Sequence, residues 1–155
     1  MTTVRATRRV VLPPAEAYAL WTDVGRWPTF IEGFAHAVEK DDGWPGDGAR
    51  LVWQSLPDGR GRVNEKVQRS GEFFVATRIV EDAMHGVQEA SFHPGEEGGS
   101  VAQLELAYEL NPTTVWRTGP LGKVVNVLFI RRAMIDSLGR TLRRFATEAA
   151  DQHAL

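Results

Sequence analysis

The amino-acid sequence predicts an α+β domain, in which an antiparallel sheet of about seven strands curves around one long C-terminal helix. Residues 3–110 consist mostly of short segments of alternating polarity separated by turn residues, a pattern typical of antiparallel strands. From Pro120 to Asp151 the apolar residues instead recur at helical spacing: Leu121, Val124, Val125, Leu128, Met134, Ile135, Leu138, Leu142, Phe145 and Ala149. Because an amphipathic helix must bury its apolar stripe, we expect it to pack on one face of the sheet.

Two short helices are predicted between the first strand and the rest of the sheet. Thr3–Leu12 is rich in β-branched residues and predicts the first strand. Pro13 ends that strand, and Pro14 suits the first turn of a helix over Ala15–Thr22. A second short helix is expected from Pro28 to about Ala35.

The central part of the chain predicts a meander of antiparallel strands. The strand candidates are Ala37–Lys40, Ala49–Ser55, Arg62–Ser70, Phe73–Glu81, Gly86–Pro94 and Ser100–Leu110. Residues that tolerate a positive φ angle separate them, as in Trp44–Gly48 and Glu97–Gly99. Because these connections are short, successive strands should pair with one another.

Strand parity predicts which side chains face the helix. In the last strand the inward set is Ala102, Leu104, Leu106, Tyr108 and Leu110. In the fourth candidate it is Phe73, Val75, Thr77 and Ile79. In the strand Arg62–Ser70, inward Val63 and Val67 would carry Glu65 and Arg69 to the same face, unless a bulge reverses the parity.

Composition limits the class of protein. At 155 residues the chain is long enough for a single domain, residues 1–155, with a core that needs no disulfide. It contains no cysteine, and its formal net charge of −2 lacks the basic field typical of nucleic-acid binding. The first residues lack a signal-peptide pattern, and no apolar run approaches a membrane span. We therefore expect a cytoplasmic monomer or homodimer with no nucleic-acid partner and no transmembrane segment.

Polar residues offer few candidates for chemistry. No histidine is spaced to form a metal site with another histidine or a cysteine, so we expect no metal and assign no catalytic residue. Glu65 and Arg69 form either a structural ion pair or, through Arg69, a contact that orients a ligand carboxylate or carbonyl oxygen. The aromatic and soft residues Trp53, Phe73, Phe92, Tyr108 and Met134 suit either ordinary core or the wall of a pocket.

Several segments resemble the START-like (SRPBCC) superfamily, and within it the polyketide cyclase/dehydrase and lipid-transport group. They are Val10–Asp23, Trp27–Phe30, Phe92 with Gly98–Ser100, and Ser137–Leu138 with Leu142 in the helix. The resemblance spans nearly the whole chain. It implies a helix-grip fold, in which a sheet of about seven strands grips the long helix around a cavity that opens near the second helix.

The resemblance also implies a range of functions. Members of the superfamily include lipid and hormone binders, polyketide aromatase/cyclases, and quinone-chaperone and ribosome-associated branches. Aromatase/cyclases tend to place a tyrosine, an arginine and a glutamine at the positions of Phe34, Ile79 and Leu106. All three are apolar in this chain, which argues against a cyclase.

Three hypotheses follow from these observations. The first is binding or carrying of a hydrophobic or aromatic small molecule (a lipid, polyketide or isoprenoid-like compound) in an internal apolar cavity, without a cofactor. The alternatives are an aromatase/cyclase-type enzyme and a protein-interaction module, such as a chaperone co-factor or a ribosome-associated factor. The residues predicted to contact the ligand are Phe30, Phe34, Trp53, Arg69, Phe73, Ile79, Phe92, Leu106, Tyr108, Met134 and Leu138.

Overall fold

One antiparallel sheet of seven strands is the framework of the fold. The computed structural model describes residues 1–112 and 119–155, with side chains described in 1–112 and 127–155. The strands are β1 (Thr2–Val10), β2 (Phe34–Lys40), β3 (Arg50–Ser55), β4 (Arg62–Ser70), β5 (Phe74–Val80), β6 (Met84–Pro94) and β7 (Ser100–Leu110). The order across the seven-stranded sheet is β1-β7-β6-β5-β4-β3-β2. The predicted meander from β2 to β7 is confirmed, and β1 pairs with β7 from Thr2↔Tyr108 to Val10↔Ser100.

In the described part of the chain three α-helices accompany the sheet: α1 (Pro14–Thr22), α2 (Trp27–Phe30) and α3 (Gly119–Ala154). The two short helices after β1 and the long C-terminal helix are as predicted. However, α2 ends earlier than the predicted Ala35, because Gly33 adopts a φ angle of 77°. That left-handed conformation turns the chain out of the helix, and β2 begins at Phe34.

The core lies between α3, the short helices and the inner face of the sheet. Along α3 the buried side chains are Leu138, Thr141, Leu142, Phe145 and Ala149. The Phe145 ring centroid lies 5.1 Å from that of Phe30, 5.5 Å from that of Trp21 and 5.7 Å from that of Phe92. Burial of one such side chain stabilises the fold by about 1.5–3 kcal/mol. The stripe residues Leu121, Val124 and Val125 lie outside the described side chains.

The inward faces of β5 and β7 agree with the predicted parity. Val75, Thr77 and Ile79 on β5 are buried, as are Ala102, Leu104, Leu106 and Tyr108 on β7. Phe73, just before β5, is only partly buried. A sheet whose alternate residues are apolar is fixed in one orientation, because a slip of one residue would expose the whole apolar set.

A β-bulge in β4 reverses the parity near its end. The register with β5 shifts between Val67 and Arg69, so an extra residue stands on the β4 side. Glu65 and Val67 therefore face the interior and are 7% and 1% exposed, whereas the Arg69 side chain is 61% exposed. The prediction that Arg69 faces the interior with Glu65 was wrong for this reason.

No helix among the described residues is long and apolar enough to cross a membrane.

Candidate functional site

A cavity of about 490 Å³ lies under α3, between the helix and the inner face of the sheet. Its apolar wall is formed by Met84, Leu106, Ile130, Ala133, Met134 and Leu138. Ile130, Met134 and Leu138 recur every four residues and so lie on one face of the helix. Leu106 reaches the cavity from the inward face of β7. The amphipathic pattern of α3 therefore supplies one wall, and strand parity supplies the other.

Polar side chains surround the open side of this main cavity. Asp58 and Arg60 belong to the connection between β3 and β4, and Glu81 follows β5. Glu32 follows α2, while Ser137 and Arg140 project from α3. Apart from Glu81, which is buried, these polar side chains are partly or fully exposed, so the open side of the cavity is polar while its interior is mostly apolar. This is the usual composition of a small-molecule site.

A smaller inner pocket of about 40 Å³ adjoins the main cavity. The two spaces share the lining residues Glu32, Arg60, Gln88, Ser137 and Leu138. The remaining lining residues of the inner pocket are Trp21, Trp27, Ile31, Trp53, Glu65, Ile79, Leu104 and Thr141. A space of this size accommodates a few atoms of a ligand or ordered water.

Glu65 is a buried carboxyl group on the wall of the inner pocket. Its Oε2 accepts a hydrogen bond of 2.6 Å from Trp53 Nε1, and its Oε1 accepts one of 2.9 Å from Thr77 Oγ1. Burial raises the pKa of Glu65, although both hydrogen bonds and the positive charge of Arg60 oppose that change. The net effect is a pKa above the usual value for a glutamate side chain.

Arg60 stands between the two spaces. Its Nε lies 2.5 Å from Glu81 Oε2, and its guanidinium carbon lies 5.2 Å from the centroid of the Trp53 ring. Burial also raises the pKa of Glu81, and the charge of Arg60 opposes the change. The ion pair and the ring contact together hold the guanidinium over the inner pocket.

Glu32 connects the segment after α2 to α3. Its carboxylate accepts hydrogen bonds from Ser137 Oγ at 2.5 Å and from Arg140 Nε at 2.6 Å. Its backbone N–H donates to Thr141 Oγ1 at 3.2 Å. Burial alone would raise the pKa of Glu32, but the hydrogen bonds from Arg140 and Ser137, with the nearby arginine charges, hold it below its usual value. We call Glu32, Ser137, Arg140 and Thr141 the α2–α3 clamp.

Some of the residues predicted to contact a ligand surround these spaces. Leu106, Met134 and Leu138 line the main cavity, and Trp53, Ile79 and Leu138 line the inner pocket. Their contact with a ligand remains a prediction.

The other apolar predictions lie elsewhere. Phe30, Phe34, Phe92 and Tyr108 are buried in the core and are not among the residues that line the two spaces. Phe73 borders a separate open groove of about 420 Å³ with Arg69 and Phe74. Burial raises the pKa of the Tyr108 hydroxyl.

Arg69 cannot orient a ligand inside the domain. Its guanidinium forms an ion pair with Glu89 and lies 5.3 Å from the centroid of the Phe74 ring, on the outer side of the sheet. The pair that the sequence suggested between Glu65 and Arg69 does not form. Glu65 instead takes its hydrogen bonds from Trp53 and Thr77.

The site residues that were not predicted from the sequence are Glu32, Arg60, Glu81 and Gln88. Parity could have found Gln88, because it lies two residues from Ala90 and four from Phe92, both buried on the same strand. Parity could also have found Glu81, because it lies two residues beyond inward Ile79 at the end of the predicted strand Phe73–Glu81. No comparable signal exists for Arg60, since an irregular connection carries no periodicity. Among the described residues, no three His, Asp or Glu side chains converge in a way that could hold a metal ion.

The fold and the site define a domain with a cavity that lies between one long helix and the inner face of an antiparallel sheet and opens to solvent on one side. Residues 1–150 match the family described as "Polyketide cyclase / dehydrase and lipid transport", and the chain belongs to that family. No curated protein matches it.

Several solved structures have the same fold at low sequence identity. TTHA0849 from Thermus thermophilus is 20% identical with a TM-score of 0.74, over 97% of this chain and 99% of that protein. The di-domain ARO/CYC StfQ from the steffimycin biosynthetic pathway is 16% identical with a TM-score of 0.78, over 99% of this chain but only 52% of StfQ. Norcoclaurine synthase from Thalictrum flavum is 16% identical with a TM-score of 0.58, over 83% of this chain and 86% of the synthase.

Proposed function

We propose that this protein binds a hydrophobic or aromatic small molecule, such as a lipid, polyketide or isoprenoid-like compound, in the cavity under α3. The observation that carries the proposal is the main cavity of about 490 Å³ with its wall of aliphatic and thioether side chains. Sites for small organic ligands occupy roughly 300–1,000 Å³ and have apolar walls with a few polar groups. The family description, which names both polyketide chemistry and lipid transport, supports the same class of ligand.

Apolar burial is the source of affinity in this proposal. A ligand that buries roughly 300 Å² of apolar surface gains about 7.5 kcal/mol at ~25 cal/mol per Å², before the cost of association. Met84 and Met134 line opposite sides of the cavity, on β6 and α3. Flexible thioether side chains adjust to ligands of different shape. In this proposal the polar side chains at the open side of the cavity set the orientation of the ligand rather than the strength of its binding.

The cavity also bears on the interaction-module hypothesis. That hypothesis expects a filled interior and a functional outer surface. An interior space large enough for a small molecule is unnecessary for such a role and lowers stability, because cavities cost free energy. Ligand binding therefore accounts better for this interior.

A blocked cavity tests the proposal. Ala133 lies on the cavity wall but is exposed, so Ala133→Trp should place an indole ring in the mouth without disturbing the core. Leu128→Trp is the matched control, because Leu128 is on the same helix and 62% exposed. We expect 1-aminoanthracene to bind the wild type with 1:1 stoichiometry by fluorescence titration and native mass spectrometry. Ala133→Trp should weaken binding about tenfold or more, and Leu128→Trp should not. Absence of saturable binding, or equal binding by all three proteins, would contradict the proposal.

A second candidate function, an aromatase/cyclase-type enzyme, is favoured by Glu65. A carboxyl group whose pKa is raised by burial, and which borders the inner pocket, is suited to general acid–base catalysis. StfQ, an ARO/CYC, has the same fold. The test is turnover of a poly-β-ketone analogue by the wild type and by Glu65→Gln. This candidate requires Glu65→Gln to lose turnover while it still binds 1-aminoanthracene, and equal turnover by both proteins would exclude Glu65 from the chemistry.

A further inference from the structure

Gln88 lies where three spaces in the interior adjoin one another. It lies on the inner face of β6, where its neighbours across the sheet are Thr77 on β5 and Leu106 on β7. It lines the main cavity, the inner pocket and a third space of about 10 Å³ beside Trp44 and Thr77. No other described residue lines all three of these spaces. A group bound at their junction would therefore meet the Gln88 side chain.

The side-chain amide of Gln88 forms no hydrogen bond with any residue in the described part of the chain, although the side chain is only partly exposed. The carboxyl groups around it are already bonded: Glu65 by Trp53 and Thr77, Glu81 by Arg60, and Glu32 by Ser137 and Arg140. Among the residues that the structure describes, no buried side-chain nitrogen or oxygen lacks a partner, so both amide atoms of Gln88 are accessible to water from the adjoining spaces. A bound molecule could replace that water and keep the amide hydrogen-bonded. The amide can both donate and accept, so it suits a hydroxyl or a carbonyl group of a bound molecule.

The charges around Gln88 limit which polar groups fit there. The carboxyl groups of Glu32, Asp58, Glu65 and Glu81 outnumber the guanidinium groups of Arg60 and Arg140 along the two larger spaces. Both arginines are already paired, with Glu81 and Glu32 respectively. A ligand carboxylate would thus enter a site without a free counter-ion and next to other acids, which is unfavourable in an interior. A neutral oxygen-bearing group meets no such repulsion.

We propose that Gln88 orients the ligand by hydrogen bonding a neutral hydroxyl or carbonyl group at the junction of the main cavity and the inner pocket, and that the site rejects carboxylates. The proposal rests on the proposed function, because it requires an apolar molecule in the main cavity. In this proposal the ligand is oriented by the neutral side chain of Gln88 rather than by Arg69, the residue that the sequence suggested.

Four naphthalene probes test this proposal by isothermal titration calorimetry at neutral pH. They share one ring system and differ in the substituent: 2-naphthylmethanol, 2-acetonaphthone, 2-naphthoate and the apolar 2-methylnaphthalene. We expect the alcohol and the ketone to bind about tenfold more tightly than 2-naphthoate. Gln88→Leu should weaken the alcohol and the ketone about tenfold and leave 2-methylnaphthalene unchanged or tighter. Gln88→Met, which keeps the length of the side chain, should behave like Gln88→Leu and guards against a packing defect.

The matched control is Gln103→Leu on the outward face of the neighbouring strand β7, which should bind all four probes as the wild type does. If 2-naphthoate binds as tightly as the alcohol, or if both Gln88 variants retain full affinity for the alcohol and the ketone, the role of Gln88 is overturned and ligand binding still stands. If not even 2-methylnaphthalene binds the wild type, the proposed function itself is contradicted.

Discussion

At the scale of single residues, Glu65 shows how a side chain acquires its properties from its neighbours. Both carboxyl oxygens accept hydrogen bonds, and the residue is 7% exposed. Burial removes water from the carboxylate, which raises the pKa more strongly than the bonds from Trp53 and Thr77 lower it. The folded protein therefore binds a proton at Glu65 more tightly than the unfolded chain does.

This difference predicts a pH-dependent contribution to stability. Because the pKa of Glu65 is raised on folding, its protonation stabilises the fold below the unfolded value of about 4.5, and this contribution disappears as pH rises through the folded pKa. Glu65→Gln keeps the shape and cannot ionise. We expect the free energy of unfolding of the wild type, relative to Glu65→Gln, to fall as pH increases from about 4.5. Urea denaturation over a pH series measures this difference.

Glu39→Gln provides the control, because Glu39 is exposed on β2 and forms no ion pair among the described residues. Its stability relative to the wild type should not follow the trend of Glu65→Gln. A wild type that gains stability relative to Glu65→Gln with rising pH would contradict the raised pKa.

Glu65 and Arg69 together show how far strand alternation can predict which face of the sheet a side chain occupies. Alternation placed Glu65 inside, and the structure agrees, because β4 pairs regularly with β3 from Arg62 to Lys66 and with β5 from Asn64 to Val67. One extra residue before Arg69 then reverses the facing direction. Bulges depend on the fit between neighbouring strands rather than on local composition, so alternation alone could not place Arg69.

At the scale of elements, α3 divides into two parts with different surroundings. Near its C-terminal end Phe145 is 0% exposed between the short helices and the sheet, whereas Phe129 nearer the other end is 71% exposed. The sequence pattern includes Phe145 but cannot show how far the sheet and short helices extend along the helix. Helical periodicity therefore predicted that α3 exists, but it did not predict how much of the helix is buried against the sheet and the short helices.

Two phenylalanine truncations test this division. Phe145→Ala removes a ring that contacts Trp21, Phe30 and Phe92, so we expect it to lower the free energy of unfolding by about 3–5 kcal/mol. Phe129→Ala should change it by no more than about 0.5 kcal/mol, since the ring is exposed. Urea denaturation distinguishes these values, and similar losses in both variants would contradict the described placement of the helix.

The α2–α3 clamp gives a second prediction for elements. Arg140→Ala removes two hydrogen bonds to Glu32, whose side chain is 26% exposed, and we expect a loss of about 1 kcal/mol in the free energy of unfolding. Arg132→Ala on the same helix removes a more exposed pair with Asp136 and should cost about 0.3–0.5 kcal/mol. Both changes alter helix propensity equally, so the difference reports the clamp. A loss for Arg140→Ala no larger than that for Arg132→Ala would show that the clamp contributes nothing to stability.

At the scale of the whole molecule, the cavity depends on residues far apart in sequence. Leu106 and Met134 could be placed on opposing inner faces from the sequence, because strand and helix periodicities are local. Whether their side chains meet or leave a space depends on the distance between α3 and the sheet, which no periodicity encodes. Asp58 and Arg60, two polar residues of the cavity, belong to the connection between β3 and β4, whose conformation is set only by the assembled fold.

A ligand in this space should stabilise the domain as a unit, because it binds the folded chain and not the unfolded one. With 2-naphthylmethanol at about 100 times its dissociation constant, the free energy of unfolding should rise by about 2.7 kcal/mol. Hydrogen exchange should slow in the segments that surround the cavity, residues 58–60, 81–84 and 130–138, because binding suppresses their local opening. Ala133→Trp, whose cavity mouth is blocked, should show neither effect at the same concentration. Equal stabilisation of Ala133→Trp, or protection confined to the separate groove near Phe73 and Phe74, would place the ligand outside the cavity under α3.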